Sequence, residues 1–347
     1  MEEKYIYESE NINLDLEKLF GFSYNELVFF SLSKRGKYKK IEILKRSGKV
    51  RTLYSPVYKL KRAQRIILKE ILYKKSNYLL IDNVTGFIPQ KSIVDNAKYH
   101  IGKKYILKLD IKDFFPSITQ DRIFGLFRKE YNLDYSTSMY LSGLCCYNNQ
   151  LPQGAPTSPI LSNLIARFLD YRLIGLIKSY NSNKFLLELS YSRYADDLTF
   201  SFNKKINVNG FINYIIGILL EEGFFPNYEK INLISAGKQQ KVTGLVVNSK
   251  VSVGRKYYKK LKSIFYNISK NGFLDEMLIW NSKNENKIYK IDKFKQVLGG
   301  YLSFIKNISP DYYEKLNNFN LDFSIGKIKN DIKTDISKGN NFGGFNL

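Results

Sequence analysis

Asp196 and Asp197 stand side by side in Ser192-Arg193-Tyr194-Ala195-Asp196-Asp197-Leu198-Thr199-Phe200-Ser201, between two runs rich in aromatic and β-branched residues. Such runs predict the two strands of a hairpin with the acids at its tip. Side chains alternate along a strand, so the two carboxylates are expected to point different ways. Like charges this close repel, which makes an acid pair a poor stability device. It makes sense where a divalent cation is held, although an acidic turn on its own is more often a solvated loop. Far upstream, Tyr105-Ile106-Leu107-Lys108-Leu109-Asp110-Ile111-Lys112-Asp113-Phe114-Phe115-Pro116-Ser117-Ile118 predicts an apolar strand that ends in an acid and then an aromatic pair. Asp110, between Leu109 and Ile111, is costly there unless it is paired or binds metal. Phosphoryl transfer uses two divalent ions about 3.5–4 Å apart, held by carboxylates, to align attacking and leaving oxygens. Asp110 beside the Asp196 hairpin would supply that clamp, provided strands distant in sequence are neighbours in one sheet.

The two boxes, Asp-x-x-x-Phe-Phe from Asp110 and Tyr-x-Asp-Asp from Tyr194, occur in the order found in the palm of reverse transcriptases, and the chain resembles that family. The resemblance implies two Mg²⁺ ions bound by Asp110, Asp196 and Asp197, with Ile111 among the metal-binding positions. It also implies nucleotide contacts at Asp113, Phe114, Phe115 and Ala195, with Phe115 stacking under the incoming sugar and excluding a 2′-hydroxyl.

The elements that must position these groups can be read in order. Residues 1–35 predict a helical extension with Leu14, Leu16, Leu19, Phe20, Leu27, Val28 and Phe30 as its apolar stripe. Residues 38–54 predict a hairpin turning at Ser47-Gly48. Lys49 and Arg51 lie on one strand face, and the resemblance makes them fingertip residues that hold the triphosphate. Residues 58–73 predict an amphipathic helix with Leu60, Ala63, Ile67 and Ile71 inward and Lys61, Arg62, Arg65 and Lys69 outward. The outward face is either simply solvated or in contact with nucleic-acid phosphates at Arg65. Asn96-Ala97-x-x-His100 and Val242-Thr243-Gly244 resemble retron reverse transcriptases in particular, and the resemblance places Asn96, His100, Val242, Thr243 and Gly244 near RNA or primer. From the residue alone, His100, the single histidine, reads as a structural hydrogen-bonding group.

Residues 119–147 predict helices that begin near Thr119. Leu151-Pro152-Gln153-Gly154-Ala155-Pro156-Thr157-Ser158-Pro159 predicts a stiff loop, with Gly154 permitting close backbone approach, Ser158 as a helix cap and Pro159 in the first turn. Gln153 is there a candidate for contact with template base and nucleotide. The long helix that follows has Leu161, Leu164, Ile165, Phe168, Leu169 and Leu173 as its expected core stripe. A backing helix over 205–222 leads to Gly223-Phe224-Phe225-Pro226-Asn227-Tyr228-Glu229-Lys230. The resemblance gives Lys230 a role in neutralising the leaving pyrophosphate, although Pro226 and Ile231 depart from the family pattern. Lys241–Asn248 predicts a strand pair resembling a primer grip. Beyond 250, Arg255, Lys256, Lys259, Lys260 and Lys262 alternate with Tyr257, Tyr258, Leu261, Phe265 and Tyr266. Such a mixture suits a nucleic-acid duplex, with Arg255 and Lys259 as candidate contacts. Gly299-Gly300-Tyr301-Leu302-Ser303-Phe304 resembles a recurring thumb helix of these enzymes.

The chain has 347 residues, with 55 Lys and Arg against 32 Asp and Glu, a net charge of +23. That field favours polyanionic partners, most simply nucleic acid. Adjacent Cys145 and Cys146 offer neither a disulfide framework nor a zinc site, and read as small buried apolar residues. The amino terminus has no apolar signal core and no segment is long and apolar enough to span a bilayer, so a cytoplasmic protein with no membrane partner is expected.

The expected class is α+β: a right-hand polymerase with a palm of antiparallel sheet backed by helices and a helical thumb. The expected domains are an N-terminal extension and fingers over 1–104, palm over 105–118, fingers over 119–150, palm over 151–250, thumb over 251–336 and a disordered tail over 337–347. The resemblance implies RNA-directed DNA synthesis from deoxynucleoside triphosphates on a cognate structured noncoding RNA. Priming from a guanosine 2′-hydroxyl would leave a branched RNA–DNA hybrid, and an effector protein would act beside the enzyme in phage defence. The rivals are another bacterial reverse transcriptase, of intron-derived or defence type, and a non-catalytic RNA-binding scaffold that kept the palm.

Overall fold

A computed structural model of the chain describes residues 14–33, 35–44, 48, 50–183, 188–283 and 288–323. Lys49, Ser47 and the tail from Ser337 lie outside the described residues. The chain divides into two compact units, one up to Val251 and one from Ser252.

The first unit is built on strand β3 (Tyr105–Lys112). Its sequence alternates so that Leu107, Leu109 and Ile111 enter the hydrophobic core. Lys108, Asp110 and Lys112 fall on the opposite face by the two-residue period of a strand. β4 (Ser190–Tyr194) and β5 (Asp197–Phe202) form the hairpin, and β5 pairs antiparallel with β3 along Tyr105↔Phe202 to Asp110↔Asp197. On its other edge β3 pairs with β6 (Phe225–Pro226) and β7 (Asn232–Ser235), completing a five-stranded antiparallel sheet among the described residues. The expectation that distant strands are neighbours is met, and the class is α+β.

Helices cover the apolar face. α8 (Ser158–Asn183) and α9 (Val208–Glu221) lie behind the sheet, with Leu161, Leu164, Leu169, Leu173, Phe211, Ile215 and Leu219 fully buried. The expected stripe of α8 needs one correction. Phe168 is half exposed, covered by the Arg167 guanidinium 4.2 Å from its ring, while Asn163, Ala166 and Asp170 are buried. The inward face therefore runs through 163, 166, 170, 173 and 177, spaced by three and four as a helix requires. The expected cap at Ser158 is also corrected: α8 starts at that residue and its hydroxyl has no partner.

Hairpin β1 (Tyr38–Leu44) and β2 (Val50–Pro56) is two-stranded and largely exposed. It is fixed at its base by Lys37. This buried ammonium donates to the carbonyls of Phe30 (3.1 Å), Ser31 (3.4 Å) and Gly143 (3.1 Å), and burial lowers its pKa to about 8. These carbonyls end α2 (Tyr24–Leu32), which follows the short α1 (Leu16–Phe20), and line α7 (Tyr135–Cys145), which follows α6 (Gln120–Glu130), capped by Thr119 as expected. Cys145 and Cys146 are both buried, and burial pushes the Cys145 thiol up to about 12. The helix expected over 58–73 is longer and less regular. α3 (Tyr58–Ile66) runs into a π-helical stretch, Ile67–Leu72, and then α4 (Tyr73–Leu79), with Leu60, Ala63, Ile67 and Ile71 buried.

The second unit is helical. α10 (Arg255–Ser282) is broken at Gly272, whose φ of 86° only glycine adopts readily. It packs with α11 (Ile291–Ile308), which carries Gly299–Phe304, and with α12 (Pro310–Asn317). No helix among the described residues is long and apolar enough to cross a membrane.

Candidate active site

Asp110 and Asp197 are direct cross-strand partners on β3 and β5. Residues opposite one another share a face, about 5 Å apart at Cβ. Two carboxylates so placed repel by about 3 kcal/mol at an effective dielectric near 20. Asp196 occupies the turn itself, and its carbonyl accepts from the Ile111 amide at 2.9 Å, which ties the tip of the hairpin to the end of β3. Ala195, before it, has φ +58° and is almost fully buried. The acid pair thus comes from a left-handed turn held on both sides by sheet.

The electrostatics follow from crowding. Burial, then the charges of Asp110 and Asp197, hold the Asp196 carboxyl above the usual carboxylate range. Asp197 is raised by burial and by Asp110, against the pull of Lys108 and Lys230. Lys230 answers this concentration of charge: its ammonium lies 2.9 Å from both Asp110 oxygens, and that bond raises its own pKa. Asn227 adds a side-chain bond to Asp110 at 3.1 Å and a backbone bond to the Asp110 carbonyl at 2.8 Å. Among the described residues no three His, Cys, Asp or Glu side chains are gathered as a preformed metal cage. Lys230 and Asn227 take up the oxygens of Asp110. The donor set, carboxylates with backbone carbonyls, nonetheless fits a hard divalent cation such as Mg²⁺, and the residues that would hold it are Asp110, Asp196, Asp197 and the Ile111 backbone.

A cleft of about 1200 Å³ opens beside these acids, lined by Arg51, Tyr54, Asp110, Ile111, Asp113, Phe114, Gln153, Asp196, Asn227 and Lys230 among others. Strand β2 and the Gln153–Gly154 loop meet here. The Tyr54 amide donates to the Gln153 carbonyl at 2.7 Å, and a Cβ on Gly154 would lie 2.9 Å from the Tyr54 oxygen. Phe114 is buried against Phe224, 5.7 Å between ring centres, so it shapes the floor more than it offers a free surface. Phe115 is half-buried and turns toward Phe87, 6.0 Å away.

Several expected RNA or primer contacts stand elsewhere. His100 is wholly buried, with Nδ1 and Nε2 each 2.8 Å from a serine hydroxyl, of Ser201 and Ser192 respectively. Burial, then the charge of Lys103, depresses its pKa to about 3, so the ring is neutral. Asn96 on α5 (Ile93–Lys98) is buried and accepts from the Thr85 hydroxyl at 2.9 Å; Val242 is buried too. All three are buried within the fold, His100 fully hydrogen-bonded and Asn96 with its Nδ2 left without a hydrogen-bond partner among the described residues. Thr243 and Gly244 form the tight turn between β8 (Lys241–Val242) and β9 (Leu245–Val246), both with positive φ, and the Thr243 hydroxyl donates to the Ile93 carbonyl. The two retron-like boxes therefore meet one another, α5 against the β8–β9 turn. Arg65 is exposed on α3, and in the second unit Arg255 and Lys259 are exposed one turn apart on α10.

Residues 43–248 match the family described as Reverse transcriptase (RNA-dependent DNA polymerase). The retron Ec83 reverse transcriptase of Escherichia coli is 31% identical over 294 residues, 80% of this chain and 85% of that protein. The chain belongs to the retron reverse transcriptases. The retron Ec86 reverse transcriptase of Escherichia coli is 40% identical over 223 residues, 63% of this chain and 66% of that protein. The retron Mx65 reverse transcriptase of Myxococcus xanthus is 32% identical over 290 residues, 78% and 61% respectively. The chain thus spans just under two thirds of these last two relatives.

Sequence reasoning passed over Arg193, Asp170, Asn163 and Gly86, which surround the hairpin from inside. A signal was present: Arg193 alternates with Tyr191 on the inward face of a strand, where a charge demands a buried partner.

Proposed function

We propose that the chain catalyses RNA-directed DNA synthesis. The observation that carries this reading is the rung that sets Asp110 opposite Asp197, with Asp196 in the adjoining turn and a wide cleft alongside. Divalent magnesium bound by Asp110, Asp196 and Asp197, as two ions, would stabilise the charge that develops on the phosphate and help ionise the primer hydroxyl. Arg51, with Lys49 two residues before it in sequence, is suited by its charge to the triphosphate end of a deoxynucleotide; Gln153 and Ala195 to its base and sugar; Phe115 to the sugar edge; and Asp113 lines the same cleft as a further nucleotide contact. Lys230 is within reach of the same phosphates and supplies positive charge to the departing pyrophosphate.

The template-primer is the chain's own structured noncoding RNA, primed from a 2′-hydroxyl and leaving a branched RNA–DNA product. Arg65, Arg255 and Lys259 contact its phosphates. The family membership, together with the net charge of +23, supports this substrate class. Action beside an effector protein in phage defence, within the cytoplasm, belongs to the same reading. Primer extension on an RNA template tests it: wild type incorporates deoxynucleotides and Asp196→Asn does not. Equal incorporation by both would remove the catalytic assignment and favour an RNA-binding scaffold.

A further inference from the structure

Arg193 is the largest fully buried side chain in the described chain, and nothing in the proposed chemistry uses it. Its guanidinium makes a forked bond to Asp170, Nε to Oδ1 at 2.8 Å and Nη2 to Oδ2 at 2.6 Å, with both side chains fully buried. Nη1 donates to Asn163 Oδ1 at 2.9 Å and to the Ala195 carbonyl at 3.2 Å. Tyr191 donates its hydroxyl to Asp170 at 2.7 Å. Four of the five donors of the arginine fork are thereby matched.

The network ends on the turn that carries Asp196. Ala195 holds a left-handed conformation, φ +58°, uncommon for a residue with a side chain, and its carbonyl is the one that Arg193 grips. From the other side Asn163 Nδ2 donates to the Gly86 carbonyl at 2.7 Å. Gly86 leaves no room: a Cβ there would lie 2.6 Å from the Ala195 nitrogen and 3.1 Å from the Tyr194 carbonyl carbon. The backbone of Arg193 is tied to the same segment, its amide to the Asn83 carbonyl at 2.9 Å and its carbonyl accepting from Thr85 at 3.0 Å. A buried ion pair is weak evidence for stability as such, since apolar residues of similar volume usually serve as well. What a fork with fixed geometry adds is position.

We infer that Arg193, seated on Asp170 and Asn163, is a positioning residue that clamps the Ala195–Asp196 turn against Gly86 and so sets where the Asp196 and Asp197 carboxylates stand for the divalent cation. The inference rests on the proposed polymerase reading for its kinetic arm and on geometry alone for its binding arm.

The test uses the full chain with an RNA template and DNA primer, comparing wild type with Arg193→Lys, which keeps the charge and loses the fork. Arg193→Lys is expected to lower kcat on the order of ten- to a hundredfold, the scale of a small misplacement of catalytic groups, with KM for the template-primer unchanged. The Mg²⁺ concentration giving half-maximal rate rises, and Tb³⁺, used as a luminescent probe of the carboxylates and sensitised by neighbouring tyrosine, binds more weakly without nucleotide. A variant that melts earlier, yet at a temperature where it is folded keeps wild-type kcat, Mg²⁺ midpoint and Tb³⁺ affinity, overturns the inference. If Arg193→Lys does not fold, Gly86→Ala displaces the turn without touching the ion pair, and the same three readouts decide. A wild type that extends no primer would remove the polymerase reading but not this one, because Tb³⁺ titration reads the acids directly.

Discussion

Asp196 is unstable where it stands, and that instability is measurable. Burial and the neighbouring charges of Asp110 and Asp197 raise its carboxyl above the unfolded value. An acid raised in the fold takes up its proton there first, so it costs stability above the folded pKa and the cost is relieved as pH falls through it. At neutral pH Asp196→Asn is therefore expected to raise the melting midpoint of the metal-free protein, by roughly 2–4 °C if about 1 kcal/mol is recovered. An unchanged or lower midpoint would mean that the acid cluster is not strained. His100 carries the opposite sign. Its ring is kept neutral, with a pKa lowered to about 3 by burial and by Lys103, so the stability it contributes is present above its ordinary 6.5 and is lost as pH falls from there. His100→Gln is expected to be less stable at pH 7 but to lose less stability between about pH 6 and 4. Parallel acid slopes in the two proteins would contradict the buried neutral ring. The same residue marks a limit of sequence reading. As a lone histidine it read correctly as a structural hydrogen-bonding group. The motif around it suggested an RNA contact, whereas the ring is buried with both nitrogens on Ser192 and Ser201.

Elements place these residues by close backbone approach, which composition reveals only in part. Gly154 was legible as a tight point because prolines surround it, and it packs on Tyr54, joining the exposed hairpin to the cleft. Gly143 was not legible, lying in an ordinary helical run. A Cβ there would stand 2.3 Å from the Ser31 carbonyl oxygen, where α7 crosses α2. Gly143→Ala is expected to destabilise the first unit by about 1–3 kcal/mol, as overpacking of a close crossing does. A urea midpoint equal to wild type would show that the two helices separate freely. The hairpin around Asp196 and β3 were both legible, since alternating apolar runs and their acids gave them away. The register Asp110↔Asp197 was not, because pairing across the sheet depends on β5 lying beside β3. Asp170 was hidden for a similar reason: the apolar stripe of α8 drew attention to Phe168, while a position that is fully buried toward the sheet is the acid two turns before Ile177.

At the scale of the whole molecule the dominant quantity is charge. With a net +23, binding to RNA is expected to weaken steeply as salt rises, the logarithm of the affinity falling linearly with the logarithm of salt concentration. A flat response would mean that phosphate neutralisation is not the main attachment. The positive charge is spread over both units, with Arg65 exposed in the first and Arg255 and Lys259 in the second. Against that background the acid cluster is a local inversion of sign, answered at Asp197 by Lys108 and Lys230. This contrast suits a site meant for a divalent cation more than for a second protein cation. Direct measurement of that cation is the decisive observation. Mn²⁺ binding followed by electron paramagnetic resonance, with a non-reactive deoxynucleotide present, compares wild type with Asp110→Asn. Tight binding by the wild type and a loss of affinity no smaller than the ~10–100-fold expected for disturbing an outer-shell partner is the predicted result. Equal Mn²⁺ affinity in the two proteins would contradict a metal centre built on Asp110, Asp196 and Asp197.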